Sequence, residues 1–319
     1  MKFSRRALLT VPLATLLLAS CAREKPDERI VLGFSQIGAE SEWRTANTES
    51  IKAAAATMNI DLRFADAQQK QENQIKALRT FIAQKVDVIA FSPVVATGWD
   101  TVLKEAKAAG IPVILTDRAV TSDPSLYVGF LGSDFIEEGR KAGRLVGETF
   151  KDATADVNIV ELQGTVGSAP ANDRKAGFEE VIAANPHLKI IRSQSGDFTR
   201  AKGKETMEAI LKSESRKMHV LYAHNDDMAI GAIQAIEEAG LQPGKEIFIV
   251  SIDAVKGAFE AMIAGKLNAT IECNPLLGPQ LMTSVTEVVA GRPIPKRIVV
   301  EETMFTMDTA KQFIQTRKY

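Results

Sequence analysis

From Arg29 onward, short runs of consecutive apolar residues alternate with longer segments whose apolar positions return every three or four residues. The short runs predict strands at residues 30–35, 60–65, 86–91, 112–116, 157–162, 189–193, 219–223 and 247–252. Most are continuously apolar rather than alternating, the pattern of a parallel strand covered on both faces. The longer segments predict helices. Within residues 72–84, Ile75, Leu78, Arg79 and Ile82 fall three or four apart, giving an apolar stripe with a charged edge. Gly110 closes one helical segment and Pro112 opens the next strand, and Gly240 with Pro243 repeats that stop signal.

Repeated strand–helix units build doubly wound parallel sheets. Eight of them are more than one compact sheet usually takes, which leaves two lobes or a single (β/α)8 barrel. Residues 126–131, after the turn at Pro124, are where the chain is expected to make its first passage between lobes. Both architectures gather the carboxyl ends of their strands at one mouth, where ligands bind. Those ends carry Glu40, Trp43 and Arg44 after the first strand and Asp117 and Arg118 after the fourth. In the second half they carry Phe198, Asn225 and Asp253.

Composition narrows what such a mouth could do. The 319-residue chain holds 39 Lys and Arg against 40 Asp and Glu, so it lacks the basic excess of a nucleic-acid binder. Three His and two Cys leave little for a zinc site or a His-dependent triad. No phosphate loop, dinucleotide fingerprint or Gly-x-Ser-x-Gly elbow occurs, so neither cofactor nor metal is expected. The rim instead mixes carboxylates, amides and guanidinium groups with aromatic faces. Carbohydrate hydroxyls both donate and accept, and they match that set, while the C–H face of a sugar ring packs on an aromatic ring. Glu40, Asp117, Asp197, Asp226 and Asp253 also offer carboxyl pairs for glycoside hydrolysis, the enzymatic alternative. His224 reads as a structural histidine, Trp99 as a packing residue and Cys273 as a small buried apolar group. Asp226 and Asp227 read as charges in the first turn of a helix.

The first twenty residues form an export signal, in which Lys2, Arg5 and Arg6 precede an apolar run too short to span a bilayer. Leu18-Ala19-Ser20-Cys21 has the form of a bacterial lipobox. The expected mature chain therefore begins at a lipidated Cys21, and the polar residues 21–28 tether it to a membrane in the periplasm or at the cell surface. The paired arginines fit either the twin-arginine or the general export route. Cys273 is then the one remaining thiol and has no partner for an internal disulfide.

In their order, the strand-end residues resemble the periplasmic sugar-binding proteins of ABC importers, of the ribose-binding-like type. The residues that carry the resemblance are Asp117-Arg118, Gly196-Asp197-Phe198 before a helix, Asn225-Asp226-Asp227-Met228-Ala229 and Ser251-Ile252-Asp253. Residues 33–36, 68–74, 93–99, 192–200 and 222–228, together with Glu40-Ser41-Glu42-Trp43-Arg44, are similar to the galactofuranose-binding pattern within that family. The resemblance runs over residues 29–300. It implies two doubly wound, Rossmann-like α/β lobes with parallel sheets, joined by a three-stranded hinge. It also implies residues 29–131 and 274–297 in the first lobe, with 132–273 and 298–319 in the second. Sugar contacts are implied from Asp117, Arg118, Arg174, Asn225 and Asp253. Glu40 and Arg44 would read the exocyclic tail of a hexofuranose, Phe198 would stack, and Trp43 is either a sugar platform or a core anchor. Cys273 and Asn274 stand where ribose-binding relatives place a hinge glutamine that touches sugar. The implied protein is a monomeric, lipid-anchored receptor that delivers a monosaccharide to an ABC permease and catalyses nothing; a sugar sensor would use the same site.

Overall fold

The computed structural model describes residues 29–214 and 217–319. The export signal, Cys21 and the tether lie outside these residues. Strands β1 (Val31–Gln36), β2 (Asp61–Asp66), β3 (Val88–Phe91), β4 (Val113–Thr116) and β5 (Gly129–Gly132) form a first sheet. They are linked by helices α1 (Glu42–Thr57), α2 (Gln71–Ala83) and α3 (Asp100–Ala108). Helix α4 (Phe135–Thr149) leads into a second sheet of β6 (Val157–Gln163), β7 (Leu188–Ser195), β8 (Val220–Ala223), β9 (Phe248–Asp253) and β10 (Ala269–Glu272). Its connecting helices are α5 (Ala169–Ile182), α6 (Arg200–Glu214), α7 (Asp226–Glu238) and α8 (Lys256–Ile263). The chain then returns to the first lobe, where α9 (Gly278–Val289) packs on α1. Strand β11 (Arg297–Val299) extends the first sheet, β12 (Met304–Thr306) extends the second, and α10 (Ala310–Phe313) follows.

The strand orders are β11-β5-β4-β3-β1-β2 and β12-β10-β9-β8-β6-β7. Every pairing in the first sheet is parallel. In the second, only β10 and β12 run antiparallel. Two separate sheets of the same winding exclude the barrel. Both faces of the first sheet are covered: Leu32, Phe34, Val88, Ala90 and Ile114 pack under α1 and α9, while Ile89, Phe91, Val113 and Leu115 pack under α2 and α3. This two-sided burial is why the strands read as continuous apolar runs. Trp99 is fully buried in the second of these clusters, 4.9 Å from the Phe91 ring, as a packing residue.

All eight expected strands form. The four unforeseen ones, β5, β10, β11 and β12, hold no more than two apolar residues in a row, whereas the equally short β3, β4 and β8 hold three or four. Two expectations need correction. Residues 129–131 belong to β5 in the first sheet, and the chain first crosses after it, at Ser133 and Asp134. Ile298 and Val299, expected in the second lobe, pair in β11 with Leu131 and Gly132 of the first. The other two crossings run through residues 273–277 and 300–303. Among the described residues, no helix is long and apolar enough to cross a membrane.

Candidate functional site

In each sheet the order reverses between the first and third strands, at β1/β3 and at β6/β8, which opens a crevice beyond the carboxyl ends. The two crevices face each other across a narrow cavity of about 20 Å³, room for little more than one ordered water with the lobes this close. It is lined by Glu40, Ser41, Trp43, Arg44, Asp117, Arg118, Phe135, Pro170, Arg174, Phe198, Asn225, Asp253 and Cys273. All eight residues expected at the mouth stand here, together with Arg174, which the resemblance implied. Local backbone devices place them. Ser41 caps α1 and Asn225 caps α7, each accepting from a backbone N–H three residues on. Asp117, Phe198 and Asp253 hold φ at +62°, +62° and +127°, strained values for residues with a Cβ and typical of sites that aim a side chain.

In the first lobe, Arg44 organises the carboxylates. Its Nε donates to Glu40 Oε1 at 3.0 Å, Nη1 to Gln36 Oε1 at 3.3 Å and Ser92 Oγ at 3.5 Å, and Nη2 lies 2.7 Å from Asp117 Oδ2. Burial works against this cation, but Asp117 and Glu40 outweigh it and hold its pKa above the ordinary arginine value. Asp117 Oδ2 also accepts from Ser92 Oγ at 2.8 Å. Arg118 is placed differently. Nη1 donates to the Val94 carbonyl at 3.0 Å, and the guanidinium lies 5.1 Å from the Phe198 ring. Among the described residues its Nε has no hydrogen-bond partner, although Asp117 Oδ2 lies 3.7 Å away, and Glu40 Oε2 has none either; both atoms are buried. Burial, followed by the charge of Arg44, brings the Arg118 pKa down to about 10.

The second lobe presents Arg174 from α5. Nε donates to Glu138 Oε2 at 2.7 Å, Nη1 to the His224 carbonyl at 2.6 Å, and Nη2 stands 3.8 Å from Asp253 Oδ1. Its guanidinium lies 5.1 Å from the Phe135 ring and 5.9 Å from that of Phe198. Asn225 donates Nδ2–H to the Phe198 carbonyl at 3.1 Å, tying the aromatic turn to α7. Burial raises the Asp253 carboxyl well above the usual range, against the pull of Arg174. Trp43 serves as an anchor: Nε1 donates to the Cys273 carbonyl at 2.6 Å, joining α1 to the second crossing. Its ring also lies 4.6 Å under the Arg44 guanidinium.

The lobes touch on both sides of the cavity. On one rim Ala96 N donates to the Gly167 carbonyl at 2.9 Å. On the other, Glu42 N donates to Asp227 Oδ2 at 2.8 Å, and Arg200 Nη2 reaches Glu42 at 2.7 Å and Asp227 at 3.0 Å. Asp226 and Asp227 therefore do more than charge the first turn of α7. Asp227 bridges the lobes, while Asp226 is fully buried and accepts from Ser251 Oγ, from Thr270 Oγ1 at 2.8 Å and from Val255 N at 2.9 Å. His224 is fully buried against Glu161, Nε2 to Oε1 3.0 Å, and is not among the residues lining the cavity.

Sequence reasoning missed Phe135, Ser41, Pro170 and Glu138. Phe135 follows the Asp134 cap of α4 just past a strand end, and that aromatic-after-a-cap arrangement was the available signal. Glu138 carries no local signal, because only the packing of α4 on α5 brings it to Arg174.

The periplasmic binding protein domain model matches residues 32–293. The galactofuranose-binding protein YtfQ of Escherichia coli is 46% identical, with 98% of each chain covered. A Mycobacterium smegmatis protein solved in complex with β-D-fucofuranose superposes with a TM-score of 0.89 at 56% identity, covering 91% of this chain and 95% of that one. The periplasmic binding component of the arabinose ABC transporter from Shewanella sp. ANA-3, bound to α- and β-L-arabinofuranose, gives 0.86 at 50% identity, covering 90% and 95%. With two doubly wound lobes closing on one polar cavity and a family match over most of its length, this chain belongs to the periplasmic binding protein family.

Proposed function

We propose that the protein is a monomeric extracytoplasmic receptor for one furanose sugar, galactofuranose foremost. In this reading a lipid on Cys21 holds it at a membrane, and its closed lobes are presented to an ABC permease. The observation that carries the reading is the interlobe cavity, lined by polar and aromatic side chains of both lobes, with Glu40 Oε2 and Arg118 Nε buried beside it and without hydrogen-bond partners among the described residues. Leaving such atoms unpaired is costly, and sugar hydroxyl and ring oxygens are the groups that would satisfy a carboxylate and a guanidinium together.

The sugars named for the relatives support a furanose. D-Galactofuranose, D-fucofuranose and L-arabinofuranose share one ring and its hydroxyl configuration, and differ only in the exocyclic tail. Asp117, Arg118, Arg174, Asn225 and Asp253 would hold the common ring, with Phe198 against its C–H face. Glu40 would read the tail. Arg44, already engaged with four side chains, would act by fixing Glu40 and Asp117. A site that bonds a hydroxyl rejects the analogue lacking it, because its own polar groups are then left buried and unpaired. No reaction is assigned: Glu40 and Asp117 are each held against a guanidinium, which suits steady hydrogen-bond acceptance rather than proton transfer.

Calorimetry of the exported protein with galactofuranose, L-arabinofuranose, galactopyranose and ribose tests this. Galactofuranose should bind with micromolar or better affinity, about −8 kcal/mol or stronger. Ribose and galactopyranose should bind at least about tenfold more weakly. Tighter binding of ribose or galactopyranose would overturn the assignment.

A further inference from the structure

All three passages between the lobes meet at one carboxyl group. Glu302 lies on the third crossing, and its Oε1 accepts from Ser133 Oγ on the first and from Asn274 N on the second, the latter at 3.2 Å. Lys141 of α4 donates to the Glu302 backbone carbonyl at 2.7 Å, not to its carboxylate. Beside it stand Glu138 and Cys273, and ligand atoms of all three residues lie within 4.8 Å of one another. Glu138 is fully buried. One of its oxygens receives Arg174 Nε, and the other, Oε1, has no donor among the described residues.

Two carboxyl groups this close in a buried site cannot both ionise without a large penalty. The partners decide which one keeps its charge. Glu138 faces the Arg174 guanidinium, whereas Glu302 faces hydroxyl and amide donors only. The remaining groups around the pair leave this unchanged. Cys273 has its thiol pushed up by burial and by Glu138, and Asp253 is likewise raised by burial. Arg297 of β11 is committed to the Ser133 carbonyl at 3.1 Å.

We propose that Glu302 is held protonated and donates its proton to Glu138 Oε1, so that one shared proton joins the three-crossing hinge to Arg174 in the cavity. Glu302 is then a positioning residue. It closes the hinge hydrogen bonds, completes the Glu138 carboxylate and, through it, fixes the Arg174 fork. Burial, followed by the Glu138 charge, lifts the Glu302 carboxyl up to about 9, which agrees with the geometry. An acid raised in the folded state stabilises the fold fully below its unfolded value near 4.5, and that contribution is lost as pH climbs towards 9.

The link to sugar affinity rests on the furanose-binding reading; the proton itself does not, so the test has two independent arms. In the first, the exported protein should show an infrared band of a protonated carboxyl at pH 7 that disappears in Glu302→Gln. Melting temperature should fall between pH 5 and 9 in the natural protein and fall less steeply in the variant. In the second, Glu302→Leu, which removes the shared proton, should weaken furanose binding about tenfold through Arg174, as should Glu138→Gln, while Glu302→Gln, which keeps a donor for Glu138 Oε1, should recover most of the affinity. Absence of the band, a pH profile unchanged by the substitution, or a tenfold loss in Glu302→Gln each overturns the proposal. So does marked stabilisation by added zinc that chelator reverses, which would make the cluster a cation site. If the natural protein binds no furanose, the first arm still decides the proton.

Discussion

Arg118 is a cation that its surroundings discourage. It is 3% exposed and its Nε makes no hydrogen bond among the described residues; burial and the charges of Arg44 and Arg174 outweigh Asp117 and Glu40, which lie 3.7 and 3.9 Å away. A buried charge so placed weakens the empty fold and strengthens binding of whatever completes its hydrogen bonds. Arg118→Met keeps an unbranched stem near Phe198 and removes the charge. Furanose Kd should rise at least about 100-fold, roughly 2.7 kcal/mol, while the melting temperature of the sugar-free protein holds or increases. Retained affinity, or a drop of several degrees, would remove Arg118 from the site. The pH dependence has a definite sign. A base whose pKa is brought down to about 10 in the fold, below its ordinary value, makes the fold gain stability as pH rises above 10, and the variant should lack the gain. Residues of this kind were legible because Asp117-Arg118 follows a strand end in a recognisable series. Glu138 and Glu302 were not, since nothing near them in the chain indicates the contacts they make.

At the scale of elements, the depth of Arg174 in the cavity is set by how closely α4 approaches α5. Gly139 and Gly177 bring the two backbones together: a Cβ at Gly139 would press on the Arg174 carbonyl, and one at Gly177 on that of Ile136. Gly139→Ala should destabilise the fold by about 1–3 kcal/mol through overpacking. It should also shift Arg174 enough to weaken furanose binding about tenfold, measured by thermal melting and calorimetry on the same preparation. Unchanged affinity in the folded variant would show that α5 does not carry Arg174 with it. The long strands and helices were readable because each is buried on a face wide enough to impose a period. Strands β5, β10, β11 and β12 were not, because at a sheet edge or beside a crossing they carry at most two apolar residues in a row, unlike the equally short β3, β4 and β8 in the middle of their sheets.

For the whole molecule, closure is held at the rims by Ala96 with Gly167 and by Glu42, Arg200 and Asp227. The ion pair between Arg200 and Glu42 is half-exposed, so its share in closure is small and screened by salt. Arg200→Ala should raise furanose Kd about two- to fivefold at low ionic strength, corresponding to roughly 0.4–1 kcal/mol, with the difference shrinking at 0.5 M salt. Calorimetry at two salt concentrations measures both quantities. An effect that persists in high salt would place Arg200 in the cavity's own chemistry rather than at its rim. Closure by rigid lobes about short crossings is a population shift: the ligand favours the closed form because only there do both lobes touch it.

Hydrophobic period is a property of ten to twenty neighbouring residues, so the sequence by itself determined that this chain builds parallel, doubly covered sheets. It also determined which polar residues would stand at their carboxyl ends. Contacts between residues far apart in the chain were decided only by the tertiary structure. Trp43 bonds the carbonyl of Cys273, 230 positions away, and Glu302 gathers Ser133 and Asn274. The reason is topological. The chain passes between the lobes three times, and only the folded return of α9, β11 and β12 brings those passages together, uniting a rim of separate strand ends around one interlobe cavity with a hinge behind it.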